Sequence, residues 1–144
     1  MKEYFMYKTG DIFEEEVVFT GVQVQQFAEF TGDFNPIHVD EEFAKKTKYG
    51  RVIVHGLLAA LAFSKILVTK FPGPGTIVIH KDITFIRPVF INETYKLIFK
   101  VASIDFEKNS CIIKCFMKNR EGKHCLRIIN TLKNSVILNR KNFQ

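Results

Sequence analysis

The chain has 144 residues, of which 47% are hydrophobic, 25% charged and 13% aromatic, and its formal net charge is +6. That length fits one domain that buries roughly two-thirds of its unfolded surface, and the composition excludes a disordered chain. A membrane-spanning helix needs about 20 apolar residues, whereas the longest uncharged apolar run, Val52 to Ser64, has 13 and contains His55 and Gly56, so no span is expected.

The chain opens with MKEYFMYKTGD, which has no apolar segment that reads as a signal peptide. The cytoplasm is therefore the expected compartment. Residues 1–19 read as an irregular lead-in ending in a short strand-like run, Glu16-Val-Val-Phe19. Thr20 with Gln23 three residues later fits a capping box. Val24, Phe27, Ala28 and Phe30 then form an apolar stripe at helical spacing, which predicts a helix from Gly21 to Thr31, stopped by Gly32. Asp33 to Val39 reads as a loop broken at Asn35-Pro36, and Asp40 can cap a short helix over Glu41 to Thr47.

From Gly56 to Phe71 the residues are good helix formers, apolar on nearly every side, with Lys65 and Lys70 as the charges. A helix apolar all round is a buried one. Phe71-Pro-Gly-Pro-Gly75 ends it, and the pattern then turns to strands: Thr76–His80, Ile83–Ile91 with Pro88 marking an edge or bulge, Thr94–Ile104, Cys111–Met117 and His124–Leu138. Asn139 to Gln144 reads as a frayed tail. One buried helix followed by about five antiparallel strands makes an α+β domain in which the sheet wraps the helix.

Fifteen Phe and no Trp give a core with much apolar area and few polar atoms to satisfy, which permits an enclosed apolar ligand. Cys111, Cys115 and Cys125 are odd in number and have no partners at zinc-ligand spacing, so reduced, buried thiols and no metal are expected. The charge is uneven: residues 1–43 carry 10 acidic and 2 basic side chains, and residues 108–144 carry 1 acidic and 9 basic. Lys114, Lys118, Lys123 and Arg127 alternate with apolar residues, as on the wet face of a sheet. They form no basic block, so nucleic acid is not an expected partner. Such a face is either simply solvated or a landing surface for a small polyanion.

The chemistry-bearing stretch is Phe30-Thr-Gly-Asp-Phe-Asn-Pro-Ile-His38, followed sixteen residues later by Val54-His-Gly-Leu57. On a helix, Asp33 and His38 would point about 140° apart; on a strand they would face opposite sides. A tight loop can instead bend them toward one point. A converging carboxylate and imidazole can hold a water and pass its protons. A plain turn, with Asp33 bonding its own backbone, accounts for the same residues. Gly56 opens the apolar helix, where unpaired amides and the helix dipole favour negative charge, as a thioester oxyanion requires. Alternatively, Gly56 only eases the turn into the helix. If its backbone has helical dihedrals, alanine there is expected to be tolerated or even stabilising, by up to about 1 kcal/mol.

Taken together, D-F-N-P-I-H and the later V-H-G resemble the R-specific enoyl-CoA hydratases and the wider MaoC-like dehydratases. The resemblance also takes in the helix ending in F-T-G, the run Leu57 to Ser64, and Phe85-Ile-Arg-Pro-Val89, and it spans roughly residues 10 to 105. It implies the hot-dog fold, a long helix wrapped by an antiparallel sheet, assembled as a homodimer with sheets joined edge to edge. It also implies that Asp33 and His38 activate water, that Asn35 shapes their loop, that the Gly56 N–H binds the thioester oxygen, and that Ser64 faces the site. His55 is expected to be structural, with its side chain turned away. Arg51 and Arg87 are the expected contacts for the phosphates of coenzyme A, which enters as part of the substrate. No separate cofactor is implied. The expected reaction is reversible hydration of a trans-2-enoyl thioester to the R-3-hydroxyacyl thioester. A thioesterase is the alternative, disfavoured because residues 56–71 contain no Asp or Glu to aim water at the carbonyl; a non-catalytic acyl-binding subunit of the same fold is a third reading.

Overall fold

The computed structural model describes residues 7–138. The tail expected to fray over 139–144, and the first six residues of the lead-in, lie outside them. Within them, one antiparallel five-stranded sheet curves around one long helix, the arrangement that the resemblance implies.

The lead-in is more ordered than the sequence predicts. β1 (Ile12–Val18) is a full edge strand paired to the middle of the chain, Ile12 opposite Lys100 and Val18 opposite Thr94. Three consecutive glutamates hide its alternation. Glu14 and Glu16 face out, while Glu15 turns inward and is satisfied by Lys70, whose Nζ sits 2.8 and 3.0 Å from its two carboxylate oxygens. α1 (Gly21–Thr31) has both halves of the capping box on Thr20 and Gln23, and Gly32 ends it at φ 77°, a left-handed conformation that glycine adopts without strain. Two short helices follow, α2 (Pro36–Val39) and α3 (Glu41–Lys45), the second capped by Asp40 as expected.

α4 (Gly56–Thr69) is the central helix. Its Ala59, Ala60, Phe63, Ile66 and Leu67 are buried against Leu97, Phe99, Ile113, Cys115 and Ile128 of the sheet, among others in the core. The expectation that it is buried all round fails on one side. Leu57 is 61% and Leu61 52% exposed, and Val68 continues that stripe.

The strand reading also needs a correction. Four strands follow α4, not five, and β1 supplies the fifth. The two runs expected at 76–80 and 83–91 are one strand, β2 (Ile77–Phe85), which passes through Lys81 and Asp82 with an irregularity between Val78 and His80. Past Phe85 the chain leaves the sheet, with the Ile86 and Arg87 amides both donating to the Cys125 carbonyl, so Pro88 sits in a loop where no ladder donor is needed. β3 (Thr94–Asp105), β4 (Ser110–Lys118) and β5 (His124–Lys133) complete the order β1-β3-β4-β5-β2, which leaves β1 and β2 as the edges. Cys111, Cys115 and Cys125 are buried and unpaired, and burial pushes Cys115 up to about 12.

β5 stops five residues earlier than its apolar pattern predicts, because Asn134 bends the chain. Its side chain accepts from the amides of Val136 and Ile137 and donates to the Pro74 carbonyl and Thr76 Oγ1, fastening the last turn to the α4–β2 connection. Asn134 is buried with every hydrogen-bonding group satisfied. Asn134→Ala should therefore cost about 2–4 kcal/mol, since several buried partners lose their bonds together. Urea unfolding checks this, and a midpoint equal to that of the wild type would show that the turn holds without it.

Candidate active site

The loop between α1 and α2 is bent by its own side chains. The Asp33 amide donates to Thr31 Oγ1 at 3.3 Å, the Asn35 amide to Asp33 Oδ1 at 3.2 Å, and the Ile37 amide to Asn35 Oδ1 at 3.3 Å. Pro36 then supplies the first position of α2, where a missing N–H costs nothing. Asn35 is thus the N-cap that shapes the loop. The plain-turn reading of Asp33 holds for one of its oxygens, and the other remains available. One turn of α2 carries the chain on to His38, which faces back.

His38 is fixed by Ile53. Its Nδ1 lies 2.7 Å from the Ile53 carbonyl, and the Ile53 amide donates to the Ile37 carbonyl at 3.1 Å. A carbonyl only accepts, so Nδ1 carries the proton and Nε2 keeps its lone pair, ready to take a proton. Burial draws the His38 pKa below its ordinary 6.5, against the opposing Ile53 hydrogen bond. The imidazole is therefore neutral at pH 7.

His55 corrects its own expectation. Its ring does not turn away. It stacks on His38 with centroids 3.9 Å apart and planes at 28°, and its Nε2 lies 3.0 Å from the Asp33 carbonyl. Residue type alone does not give this direction; the backbone of His55 does, at ψ 131° as the N-cap of α4. Among the described residues, potential ligand atoms of Asp33, His38 and His55 all lie within 4.8 Å of one another. His38 keeps Nε2 and Asp33 keeps one carboxylate oxygen free of protein partners, and these two are placed to hold a water, whereas the nitrogen that His55 leaves free, Nδ1, is buried.

These groups open on a cavity of about 440 Å³, walled by Tyr49, Ile53, Gly56, Leu57, Phe85, Arg87 and Leu126 among others. Gly56 is the first residue of α4, and no side chain caps that end of the helix. Its unpaired amides and dipole are the positive element of the site. Of the two expected arginines, Arg87 lines the cavity, with Nη1 donating to the His124 carbonyl at 2.6 Å. Arg51 does not: it pairs with Glu93 and lies over the Phe90 ring, 3.7 Å from its centroid. Ser64 is also outside the cavity wall, eight residues along α4 from Gly56, which is about 12 Å at the helical rise. A larger recess of about 620 Å³ on the outer sheet face is lined by Glu14, Glu16, Lys96 and Arg120, among others. It has no imidazole or thiol, and its charges are mixed, two acidic and three basic.

The surroundings of Gly56 overturn the expectation that alanine fits there. A Cβ at Gly56 would lie 2.6 Å from Cε1 and 2.9 Å from Cδ1 of the Phe85 ring. The glycine is needed for close approach rather than for its dihedrals. The Phe85 ring is half-exposed and can yield, so Gly56→Ala should destabilise by about 1–2 kcal/mol, the lower part of the range for overpacking. Phe85→Ala in the same chain should remove most of that penalty. A double-mutant cycle by thermal melting measures it, and additive effects would refute the contact.

Comparison with known proteins bears on this geometry. The family model of the MaoC-like domain matches residues 8–115. A 3-hydroxybutyryl-CoA dehydratase from Methylorubrum extorquens is 37% identical over 105 residues, 73% of this chain and 66% of that protein. A mitochondrial 3-hydroxyacyl-[acyl-carrier-protein] dehydratase from Arabidopsis thaliana is 30% identical over 79% of this chain and 70% of its own length. The chain thus spans about two-thirds of the length of these curated relatives. Among solved structures, the (R)-hydratase of Aeromonas caviae involved in PHA biosynthesis superimposes with a TM-score of 0.86 at 28% identity, covering 90% of this chain and 98% of that one. An unliganded R-hydratase from Pseudomonas aeruginosa gives 0.84 at 28% identity, covering 91% and 84%. With the match to the family model running from the start of β1 through most of β4, and with the wrapped-helix architecture shared, this chain belongs to the MaoC-like dehydratase family and has its hot-dog fold.

Proposed function

We propose that the protein is a hydro-lyase that adds water across the 2,3-double bond of a trans-2-enoyl thioester, giving the R-3-hydroxyacyl thioester, and that it catalyses the reverse dehydration. The observation that carries this reading is the pairing of a tautomer-locked, neutral His38 with the free carboxylate oxygen of Asp33 at the mouth of α4. The two hold one water. As its oxygen bonds to C3, its proton passes to His38 Nε2 or Asp33, and the π electrons move through C2 toward the thioester oxygen. The Gly56 N–H, at the positive end of α4, stabilises that negative charge. A proton delivered to C2 from the same side completes the addition. This chemistry needs no redox cofactor or Lewis acid. The acyl group is carried on coenzyme A or a carrier protein, and Arg87 at the cavity wall meets its phosphates.

The open side of α4 supports a homodimer. Leu57 and Leu61 are exposed on α4, whose first turn meets the end of the free edge strand β2, and Ile77, Ile79 and Phe85 of that strand are 65%, 53% and 52% exposed. An apolar stripe beside an unpaired edge strand is a hazard in a monomer and a ready interface in a pair. A second copy pairing through β2 across a two-fold axis covers both. Three unpaired cysteines fit a reducing compartment, in keeping with the cytoplasm, and none of the described helices is long and apolar enough to cross a membrane.

Three outcomes are expected. Asp33→Asn and His38→Ala should each lower hydration of crotonyl-CoA by about 10²–10⁴-fold without unfolding the protein; near-wild-type rates, or hydrolysis in place of hydration, would overturn the assignment. Hydration needs His38 uncharged, and burial lowers its pKa, so the midpoint of the acid-side decline in kcat/KM should lie below 6.5. A midpoint at or above that pH would show that His38 is not the desolvated base. Sedimentation at micromolar concentration should give a dimer, and Ile79→Lys should shift it toward monomer.

A further inference from the structure

We propose that His55 is the positioning residue of this site: its Nε2–H ties down the backbone of Asp33 while its ring face backs the His38 imidazole, so that both groups meet one water in a single geometry. The inference rests on reading Asp33 and His38 as the catalytic pair.

The loop that carries Asp33 is otherwise held only by itself. Among the described residues, the hydrogen bonds of residues 32–35 run to partners no more than four positions away, with one exception, the Asp33 carbonyl to His55 Nε2 at 3.0 Å. That bond spans 22 residues and joins an exposed loop to the first turn of the central helix. Without it the loop is free to swing as a unit, carrying the carboxylate with it, because its local bonds would survive the motion.

His38 needs two restraints of different kinds. The bond from Nδ1 to the Ile53 carbonyl sets the direction of the ring within its plane. It leaves the ring free to tilt about that bond. The stacked His55 ring, 3.9 Å away at 28°, blocks the tilt, and Phe27 packs on His55 in turn with centroids 4.8 Å apart.

The protonation of His55 follows from its partner. A carbonyl accepts, so Nε2 carries the proton and Nδ1 the lone pair. Nδ1 is buried with no hydrogen-bond partner, and the residue is 2% exposed. An orphaned nitrogen is a standing penalty that a phenylalanine of similar shape would not incur. What the imidazole supplies and the phenyl ring cannot is the donor to Asp33. A histidine kept there merely as filler leaves both the donor and the orphan unexplained.

The test compares two replacements on crotonyl-CoA beside Asp33→Asn and His38→Ala. His55→Phe keeps the ring and loses the donor; His55→Gln keeps an N–H at the reach of Nε2 and loses the ring. We expect His55→Phe to lower kcat by about 10–100-fold with KM nearly unchanged, the usual loss when a partner orienting a reactive group is removed, and His55→Gln to recover part of it. ¹⁵N spectra of the unaltered protein should show His55 as the neutral Nε2–H tautomer and His38 as the Nδ1–H tautomer, a readout that does not depend on whether the variants fold. Wild-type kcat in His55→Phe, or a His55 with its proton on Nδ1, overturns the proposal. If Asp33→Asn and His38→Ala abolish turnover while His55→Phe retains it, the positioning role alone falls; if those two variants remain active, the reading of the catalytic pair falls.

Discussion

The site depends on a reciprocal clamp two bonds wide. Ile53 gives its amide to the Ile37 carbonyl and takes the Nδ1 proton of His38 on its own carbonyl. Neither segment is a strand, and neither belongs to the main sheet. The next residue, Val54, donates to the Val89 carbonyl, so the clamp is anchored in turn to the loop that follows β2. Three short stretches, from α2, from the lead into α4 and from the wall after β2, are thereby locked into one layer across the mouth of the central helix. The same bonds that hold the layer together select the histidine tautomer. A backbone contact here has a chemical consequence, because an imidazole that donates from one nitrogen must accept at the other.

The sheet sets where that layer sits. α4 and β2 run in opposite directions, joined by a Pro-Gly turn, so the last residue of β2, Phe85, arrives beside the first residue of α4, Gly56. The end of the helix with unpaired amides and the end of an edge strand therefore share one corner, and the Asp33–His38 loop closes over it. Polar groups turned inward elsewhere are matched individually: Glu15 with Lys70, Lys81 with Asn130, and Asn134 with its turn.

Much of this was legible in the residues. The capping box at Thr20, the stop at Gly32, the Asp40 cap and the long helix from Gly56 all follow from local chemistry acting over three or four positions. So does the bend at Asn35-Pro36, though convergence of Asp33 and His38 took a loop geometry that spacing alone left open. What was illegible depended on distant partners. β1 was hidden by Glu15, whose inward direction makes sense only with Lys70 more than fifty residues away. β2 looked like two strands because Lys81 and Asp82 interrupt its apolar pattern, and Lys81 is accommodated by Asn130 of β5. Arg51 seemed free for a phosphate until Glu93 and Phe90 were seen to occupy it. His55 was misread because a histidine beside a glycine gives no hint of direction without the backbone angle that throws it over the loop.

The contact between Gly56 and Phe85 also bears on how this family can change. The two positions lie 29 apart in sequence yet share one van der Waals shell, in which a single added methyl group meets the ring. Such a pair imposes an order on substitution. A side chain at position 56 is burdensome while position 85 is aromatic, whereas shrinking position 85 first leaves room for either residue at 56. Lineages should therefore lose the ring before they lose the glycine, and a chain that has lost the ring gains space directly at the helix terminus where the thioester is expected to lie. The corner proposed to admit the substrate is thus also where its shape can drift, through the exposed ring rather than through the glycine.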